Sequence, residues 1–322
     1  MTPHDLLMAG HRILTGRRPV LAIEITRECP LRCPGCYAYE EGHLGGGVTL
    51  RQLGDFRGDE LVRAVRDLVD RQRPLHISIV GGDPLVRCRE LEILLPELSR
   101  RKIAVQVVTS AFRRIPESWA ALPRLRISVS IDGLPREHDE RRKPTTYDRI
   151  LRNISGGRIT VHCTVTGQMM GRPGYLGEFL RFWAPRPEVQ AIWMSFFTPQ
   201  RGVSSPECLT PTERNSAINE LIRLKDQFPK LDMGRQLIQE FRSPPASPEQ
   251  CLFAQTTETI SADLNTRIVP CQLGGDPDCA RCGCMASMGM SAVANHKVAG
   301  VIPIWTLHKA AAKVGRFART HR

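Results

Sequence analysis

Residues 20–36 read VLAIEITRECPLRCPGC, an apolar, β-branched run that leads directly into three closely spaced cysteines. The apolar part has the length and composition of a buried strand. Cys29, Cys33 and Cys36 follow it with the spacing Cys-x3-Cys-x2-Cys, so their thiols can converge on one point. The sequence therefore predicts a thiolate-ligand site where the first strand ends.

The alternation of strand and helix continues to about residue 200. Apolar segments rich in Val and Ile are predicted strands at 20–26, 76–80, 105–109, 125–131, 159–165 and 191–197. Segments with helical spacing separate them near 49–72, 88–100, 116–121, 145–154 and 174–183. Such alternation indicates a parallel sheet with right-handed crossovers. Six β/α steps predict an α/β fold, a partial parallel (β/α)6 TIM-like barrel with a small cysteine-rich C-terminal region.

Several predicted strands end in polar or glycine-containing motifs. In parallel barrels, the residues that carry chemistry lie at the carboxyl ends of the strands. The motifs in that position are the cysteine loop, Gly81-Gly82-Asp83-Pro84, Thr109-Ser110 and Ser130-Ile131-Asp132-Gly133. Their shared position predicts one composite site at that end of the barrel.

The chain divides into four predicted parts. These are a core barrel at 18–200, a helical linker region at 201–250, an auxiliary cysteine-rich region at 251–290 and a basic amphipathic tail at 291–322. A helix is expected near 212–227, where Thr210 and Glu213 have the spacing of a capping box. A hairpin with strands at 258–261 and 266–269 is expected within the cysteine-rich region.

Chain length and net charge limit the classes of function that this protein can have. A chain of 322 residues can bury a full core, and its net charge of +12 favours an anionic substrate, cofactor or surface. Nucleic acid has only this charge in its favour and is not expected as a partner. With neither a transmembrane-length apolar run nor a signal peptide, the expected location is the cytoplasm. The basic tail either packs on the barrel or makes a peripheral membrane contact.

Cysteine usage indicates metal ligation. Eight of the eleven cysteines fall within 29–36 and 251–284, and a disulfide framework fits poorly in a long chain with no export signal. Zinc and electron-transfer sites usually have four protein ligands, whereas three thiolates on a four-iron cluster leave one iron open. A closed site with His43 or Cys88 as fourth ligand remains the alternative for the first group.

The second group places five thiols within 34 residues. Its members are Cys251, Cys271, Cys279, Cys282 and Cys284. This density predicts one further iron–sulfur cluster held by three or four of the five. Zinc is the alternative, because Cys-x2-Cys pairs serve both metals.

Together these motifs resemble the radical S-adenosylmethionine (radical SAM) superfamily over residues 18–200. The stretch CPLRCPGCY, residues 29–37, is similar to the cluster-binding signature of that family. Gly81-Gly82-Asp83-Pro84 is similar to its Gly-Gly-Glu-Pro element, with aspartate replacing glutamate. Ser130-Ile131-Asp132-Gly133 resembles its fourth-strand element, and residues 138–142 its His-Asp-x-x-Arg run. Gly35 departs from the aromatic residue that many members carry near the adenine.

The resemblance implies cofactors and roles. Cys29, Cys33 and Cys36 would hold a [4Fe–4S] cluster and act as the catalytic centre, with S-adenosylmethionine (SAM) bound at the open iron. Reductive cleavage of SAM would give a 5′-deoxyadenosyl radical that abstracts hydrogen from a substrate. The residues implied in SAM binding are Gly81, Gly82, Asp83, Pro84, Thr109, Ser130 and Arg142. The second cysteine group resembles a shortened auxiliary-cluster (SPASM or twitch) domain.

The resemblance also implies an enzyme that needs a reductant such as flavodoxin or ferredoxin. The His-Asp-x-x-Arg run and the second cysteine group favour a peptide substrate. The basic tail favours a lipid, isoprenoid or other small molecule, undergoing methylation or carbon–carbon bond formation. The hypothesis of another class is a non-catalytic iron–sulfur or zinc protein that transfers electrons or binds a partner.

Overall fold

A computed structural model describes residues 3–142, 144, 146–298 and 300–320. Its centre is a seven-stranded sheet in which all neighbouring strands are parallel. The strands are β1 (Val20–Glu24), β2 (His76–Val80), β3 (Ala104–Thr109), β4 (Leu125–Ser130), β5 (Ile159–Val165), β6 (Val189–Phe196) and β7 (Thr257–Ile260). Their order in the sheet is β6-β5-β4-β3-β2-β1-β7. The predicted α/β class and partial TIM-like barrel are confirmed.

Helices connect these strands and continue after them. They are α1 (Pro3–Leu14), α2 (Gly58–Gln72), α3 (Cys88–Arg100), α4 (Pro135–Arg141), α5 (Tyr147–Ile154), α6 (Gly167–Met170), α7 (Tyr175–Trp183), α8 (Pro211–Gln227), α9 (Arg235–Glu240), α10 (Leu252–Thr256), α11 (Met285–Asn295) and α12 (Ile304–Thr320). A small antiparallel pair, β8 (Lys297–Val298) and β9 (Ile302–Pro303), lies between the last two helices. Among the described helices, none combines the length and apolar character needed to cross a bilayer.

Local sequence explains where two of these helices begin. The predicted helix over 49–72 is divided into a 3-10 turn at Leu50–Gln52 and α2, because the backbone is extended at Leu53 and Arg57, with ψ values of 157° and 158°. Helix α8 begins at the predicted capping box. Thr210 Oγ1 accepts from the Glu213 backbone N–H at 3.2 Å, while the Glu213 carboxylate accepts from the Thr210 backbone N–H at 2.8 Å.

Strand β7 differs from the predicted hairpin. It pairs in parallel with β1, from Val20 opposite Thr257 to Ile23 opposite Ile260, and so extends the barrel sheet to seven strands. The expected second strand is reduced to one bridge between Ile260 and Arg267. A physical reason is the free edge that β1 presents on the side away from β2, where an unpaired strand finds hydrogen-bond partners. Pairing this distant in sequence left no local signal.

The two terminal segments form a helical layer over the barrel. Helix α12 is the helix expected in the basic tail, of which residues 299, 321 and 322 lie outside the described part. Helix α1 was not predicted and contacts α12. The contact is close at Gly315, where a Cβ would lie 2.2 Å from the backbone oxygen of Ile13. Only glycine allows the two backbones to approach in this way.

Candidate active site

A cavity of about 1,400 Å³, here called the barrel cavity, runs through the inside of the sheet. Cys29, Cys33 and Cys36 line it at the carboxyl ends of the strands. The predicted SAM-contact residues that also line it are Gly81, Gly82, Asp83, Thr109, Ser130 and Arg142. Pro84 is buried and does not line the cavity. The predicted site residues are therefore brought together, apart from Pro84.

The cysteine loop packs directly on the glycine motif that follows β2. The Gly82 N–H donates to the Thr26 carbonyl at 2.8 Å, and the Asp83 N–H donates to the Glu28 carbonyl at 2.9 Å. A Cβ on Gly82 would lie 2.0 Å from the Glu28 carbonyl oxygen. Gly81 has a φ of 121°. Both glycines thus position the start of the cysteine loop through backbone contact.

Asp83 joins the ends of β2 and β3. One carboxylate oxygen accepts from Thr109 Oγ1 at 2.6 Å and from the Leu85 N–H at 3.0 Å. The other accepts from the N–H and Oγ of Ser110, at 2.8 and 2.6 Å. Burial raises the pKa of Asp83, and these four donors oppose that rise. Asp83 and Thr109 are therefore hydrogen-bonded to each other. Their contribution to ligand binding is to hold this loop in place.

Arg142 is held by Asp132 at the end of β4. Arg142 Nε donates to Asp132 Oδ2 at 2.7 Å, and Arg141 Nε donates to the same oxygen at 3.0 Å. Asp132 is buried, yet its pKa is lowered because the charges of Arg142 and Arg141 outweigh desolvation. The Arg142 charge also lowers the pKa values of Cys33 and Cys36, against a larger rise caused by burial. A cation thus lies beside two of the three thiols.

Glu207 is a buried site residue that no motif revealed. Its carboxylate pairs with the Arg141 guanidinium. Its Oε2 has no hydrogen-bond partner among the described residues, and a Cβ on Gly35 would lie 2.8 Å from that oxygen. Gly35 also has a φ of 62°. An aromatic residue at position 35 would have to adopt this left-handed backbone conformation and displace the Glu207 carboxylate, and both requirements disfavour it.

His43 is fully engaged elsewhere. Its Nε2 lies 2.8 Å from Glu24 Oε1, and its Nδ1 lies 3.0 Å from the carbonyl oxygen of Leu273. Both partners are acceptors, so a protonated ring nitrogen on either side donates to one of them. Ser261 Oγ donates to the second Glu24 oxygen at 2.6 Å. His43 therefore has no nitrogen free for a metal, and Cys88 is buried in α3 without lining the barrel cavity.

This buried pair predicts a pH-dependent stability. Desolvation lowers the pKa of His43, but its hydrogen bond and charge interaction with Glu24 outweigh it and raise the pKa above 6.5. A raised folded-state pKa stabilises the fold fully below the unfolded value of about 6.5 and loses that stabilisation as pH rises through the folded value. His43→Gln should flatten the fall in thermal unfolding temperature above pH 6.5. The exposed His296→Gln is the control, and equal profiles for the two variants would contradict this assignment.

The second cysteine group surrounds a small cavity of its own. All five members line it: Cys251, Cys271, Cys279, Cys282 and Cys284. Burial raises the pKa of Cys271 to about 12 and that of Cys279 to about 11, and neighbouring thiols add to both shifts. Within the described ranges, no three His, Cys, Asp or Glu side chains are grouped so as to hold a single metal ion.

The two cysteine groups are neighbours. Cys284 lines the barrel cavity as well as the small one. Tyr37, directly after the first group, is partly buried, and its pKa is raised by desolvation and further by Glu24 and by the charges of Cys36, Cys284 and Cys271. Its ring lies 5.5 Å from that of His43. Tyr37 therefore stands between the two sets of thiols.

Comparison with known proteins gives one family match. Residues 23–178 match the model of the radical SAM superfamily. No curated protein sequence matches the chain. The match spans the cysteine loop, the glycine motif, and the ends of β3 and β4.

Solved structures share the fold. Streptococcus suis SuiB bound to precursor peptide SuiA has a TM-score of 0.59 and 15% identity, over 84% of this chain and 63% of that chain. Native anSMEcpe with bound AdoMet has a TM-score of 0.55 and 17% identity, over 79% of this chain and 75% of that chain. This chain thus spans less than two thirds of the length of SuiB. The chain thus shares the fold of these structures, and its residues 23–178 match a radical SAM domain.

Proposed function

We propose that Cys29, Cys33 and Cys36 hold a [4Fe–4S] cluster and that the enzyme cleaves SAM reductively. Such a cluster with bound SAM supplies a 5′-deoxyadenosyl radical, which abstracts a hydrogen atom from the substrate. The observation that carries the proposal is the donor set. The three thiols of the cysteine loop line one cavity, and the two candidates for a fourth ligand, His43 and Cys88, are engaged or buried elsewhere. Cys284 also lines this cavity, but it lies with the other four thiols of the second group around the small cavity.

The remaining site residues suit SAM. Gly81 and Gly82 leave backbone groups open to the cavity, and Asp83 with Thr109 holds that backbone in place. Ser130, at the end of β4, brings a hydroxyl to the same space. We infer that Arg142, oriented by Asp132, contributes a positive charge for the SAM carboxylate.

SAM cleavage tests the proposal directly. The protein is reconstituted with iron and sulfide without oxygen, reduced with dithionite and incubated with SAM. Chromatography should then show 5′-deoxyadenosine and methionine in equal amounts. A closed electron-transfer cluster or a zinc site would yield neither product, so their absence would favour the non-catalytic hypothesis. A flavodoxin or ferredoxin is the proposed natural reductant.

For the second group we propose one auxiliary cluster in a SPASM-like or twitch-like region at 251–290. The support is the gathering of all five thiols around one cavity beside the first group. The barrel at 18–200, the helical linker region at 201–250 and the tail at 291–322 complete the proposed division. Because β7 belongs to the barrel sheet, the auxiliary region in this division shares a strand with the core.

Iron content tests the auxiliary cluster. Replacing Cys279 and Cys282 together by alanine should remove about four irons per chain, the content of one [4Fe–4S] cluster. Some abortive SAM cleavage should remain, because the first group is unchanged. Cys88→Ala, at a thiol that lines neither the barrel cavity nor the small cavity, should keep full iron. An unaltered iron content in the double variant, with zinc released on denaturation, would assign this site to zinc.

The substrate class has two candidates. A peptide is supported by the likeness to SuiB, whose structure holds a precursor peptide. A lipid or other apolar molecule is supported by a specific observation, the predominantly apolar lining of the barrel cavity. The amides of a peptide would lose water in such a cavity without regaining hydrogen bonds, which is costly. The lining thus favours the apolar candidate.

A further inference from the structure

The barrel cavity continues well beyond the cysteine site. It passes the first residues of several strands, Val20, His76 and Ala104, and ends beneath α1, α11 and α12. Its volume of about 1,400 Å³ exceeds the ~300–1,000 Å³ typical of small-molecule pockets. The site that SAM would occupy at the cysteine end therefore leaves a long compartment open behind it.

The walls of this far compartment are mostly apolar, with His11, His76, Arg124 and His308 as polar members of the lining. They are formed by side chains such as Ile13, Leu14, Met290, Val293, Ile304 and Leu307. The acidic residues that line the barrel cavity in the described structure, Asp83 and Asp132, both lie at the cysteine end. An apolar wall without carboxylates suits a hydrocarbon chain, because burying such a chain needs no polar partners.

The compartment reaches the protein surface through the same helices. We call α1, α11, α12 and the β8–β9 pair the cap. Leu7, Leu14, Val298 and Leu307 line the barrel cavity and are also exposed, Leu7 at 75% of its surface. Residues that belong to the inner wall and the outer surface together mark an opening in the cap.

The outer face of the cap is apolar and basic. Eight of the twelve large apolar residues exposed in the described structure belong to it: Leu7, Leu14, Val298, Val301, Ile302, Leu307, Val314 and Phe317. Lys309 and Lys313 lie among them on α12. The sequence from Cys279 to Arg322 contains no acidic residue, and α1 adds a single one, Asp5. Apolar side chains mixed with lysines and few carboxylates are typical of a surface that binds anionic lipid.

We propose that the cap binds an anionic lipid bilayer and that the barrel cavity takes the hydrocarbon chain of a lipid from it as substrate. This inference rests on the proposed function, because the chain would extend from the cap towards the site of hydrogen abstraction. In this proposal the lipid chain enters the barrel cavity through the cap, and the basic tail binds the membrane.

Vesicle binding tests the surface. The full-length reconstituted protein should cosediment with phosphatidylglycerol–phosphatidylcholine vesicles and much less with phosphatidylcholine alone. Lys309→Glu with Lys313→Glu should weaken this binding at least about tenfold, since each lysine near an anionic surface contributes about 1 kcal/mol. The control Arg63→Glu with Arg71→Glu makes the same charge change on exposed α2 positions. Equal losses in the two variants, or no vesicle binding, would overturn the proposal.

Chain binding tests the compartment. The fluorescent fatty acid cis-parinaric acid is titrated into the wild-type protein and into Ala311→Trp, which fills the compartment from α12. The Kd of the fatty acid for Ala311→Trp should be at least about tenfold higher than its Kd for the wild-type protein. Ala310→Trp, on the exposed neighbouring position, should stay within about twofold. Unchanged binding in Ala311→Trp would show that the fatty acid lies elsewhere and would overturn the proposal.

A second variant controls for the case in which Ala311→Trp loses binding because it misfolds. Gly10 lines the same compartment from α1, and a Cβ there meets no atom within 4 Å, so the side chain of Gly10→Leu begins in open space. It should weaken fatty-acid binding as Ala311→Trp does, with an unchanged unfolding temperature. Neither binding assay uses SAM or a reductant. Wild-type SAM cleavage, measured in parallel, therefore separates a failure of the proposed function from a failure of this inference.

Discussion

Replacing Cys33 by alanine is expected to abolish 5′-deoxyadenosine formation, to the level measured without protein. Cys33 is the middle thiol of the cysteine loop, whose three thiols all line the barrel cavity. Two thiolates cannot hold a four-iron cluster with one open iron, and His43 offers no replacement, because Glu24 and the Leu273 carbonyl engage both of its ring nitrogens. The measurement is chromatography of SAM products after anaerobic reconstitution and reduction.

The matched control is Cys208→Ala. Cys208 is also partly exposed, but it lines neither the barrel cavity nor the cavity of the second group. It should retain full SAM cleavage and full iron. Normal SAM cleavage by Cys33→Ala, together with the iron content of the parent protein, would remove the first group from the proposed chemistry.

The composite site was largely predictable because it depends on topology. Once strands alternate with helices, parallel pairing brings their carboxyl ends to one edge, and with them the cysteine loop, Gly82, Asp83 and Ser130. What the motif residues do there was less predictable. The carboxylate of Asp83 accepts hydrogen bonds from Thr109 and Ser110, so its role is to hold a loop in place.

Contacts between distant segments had no sequence signal. The bond from His43 to Leu273 joins residues 230 positions apart, and neither belongs to a motif. Glu207 follows the last predicted barrel strand and reaches the cysteine loop only through the tertiary fold. Such partners are chosen by packing, which a pattern of spacing and hydropathy along the chain does not encode.

The packing of the cysteine loop on the glycine motif gives the second large expected effect. Gly82→Ala would place a Cβ 2.0 Å from the Glu28 carbonyl oxygen, a backbone atom that cannot rotate away. The loop must shift, at a cost of about 1–3 kcal/mol in the free energy of unfolding, as for other overpacked sites. The shift begins one residue before Cys29. Because displacements near 1 Å can lower rates about 100-fold, SAM cleavage should fall by that order.

Gly54→Ala separates this effect from the general effect of adding a methyl group. A Cβ on Gly54 meets no atom within 4 Å, and the residue does not have a positive φ. Its unfolding temperature and its rate of SAM cleavage should match those of the parent protein. If Gly82→Ala also matched the parent in both measurements, the glycine motif would not position the cysteine loop. The open backbone of that motif would then have to be explained by the ligand alone, through contacts from Gly81 and Gly82 to SAM itself.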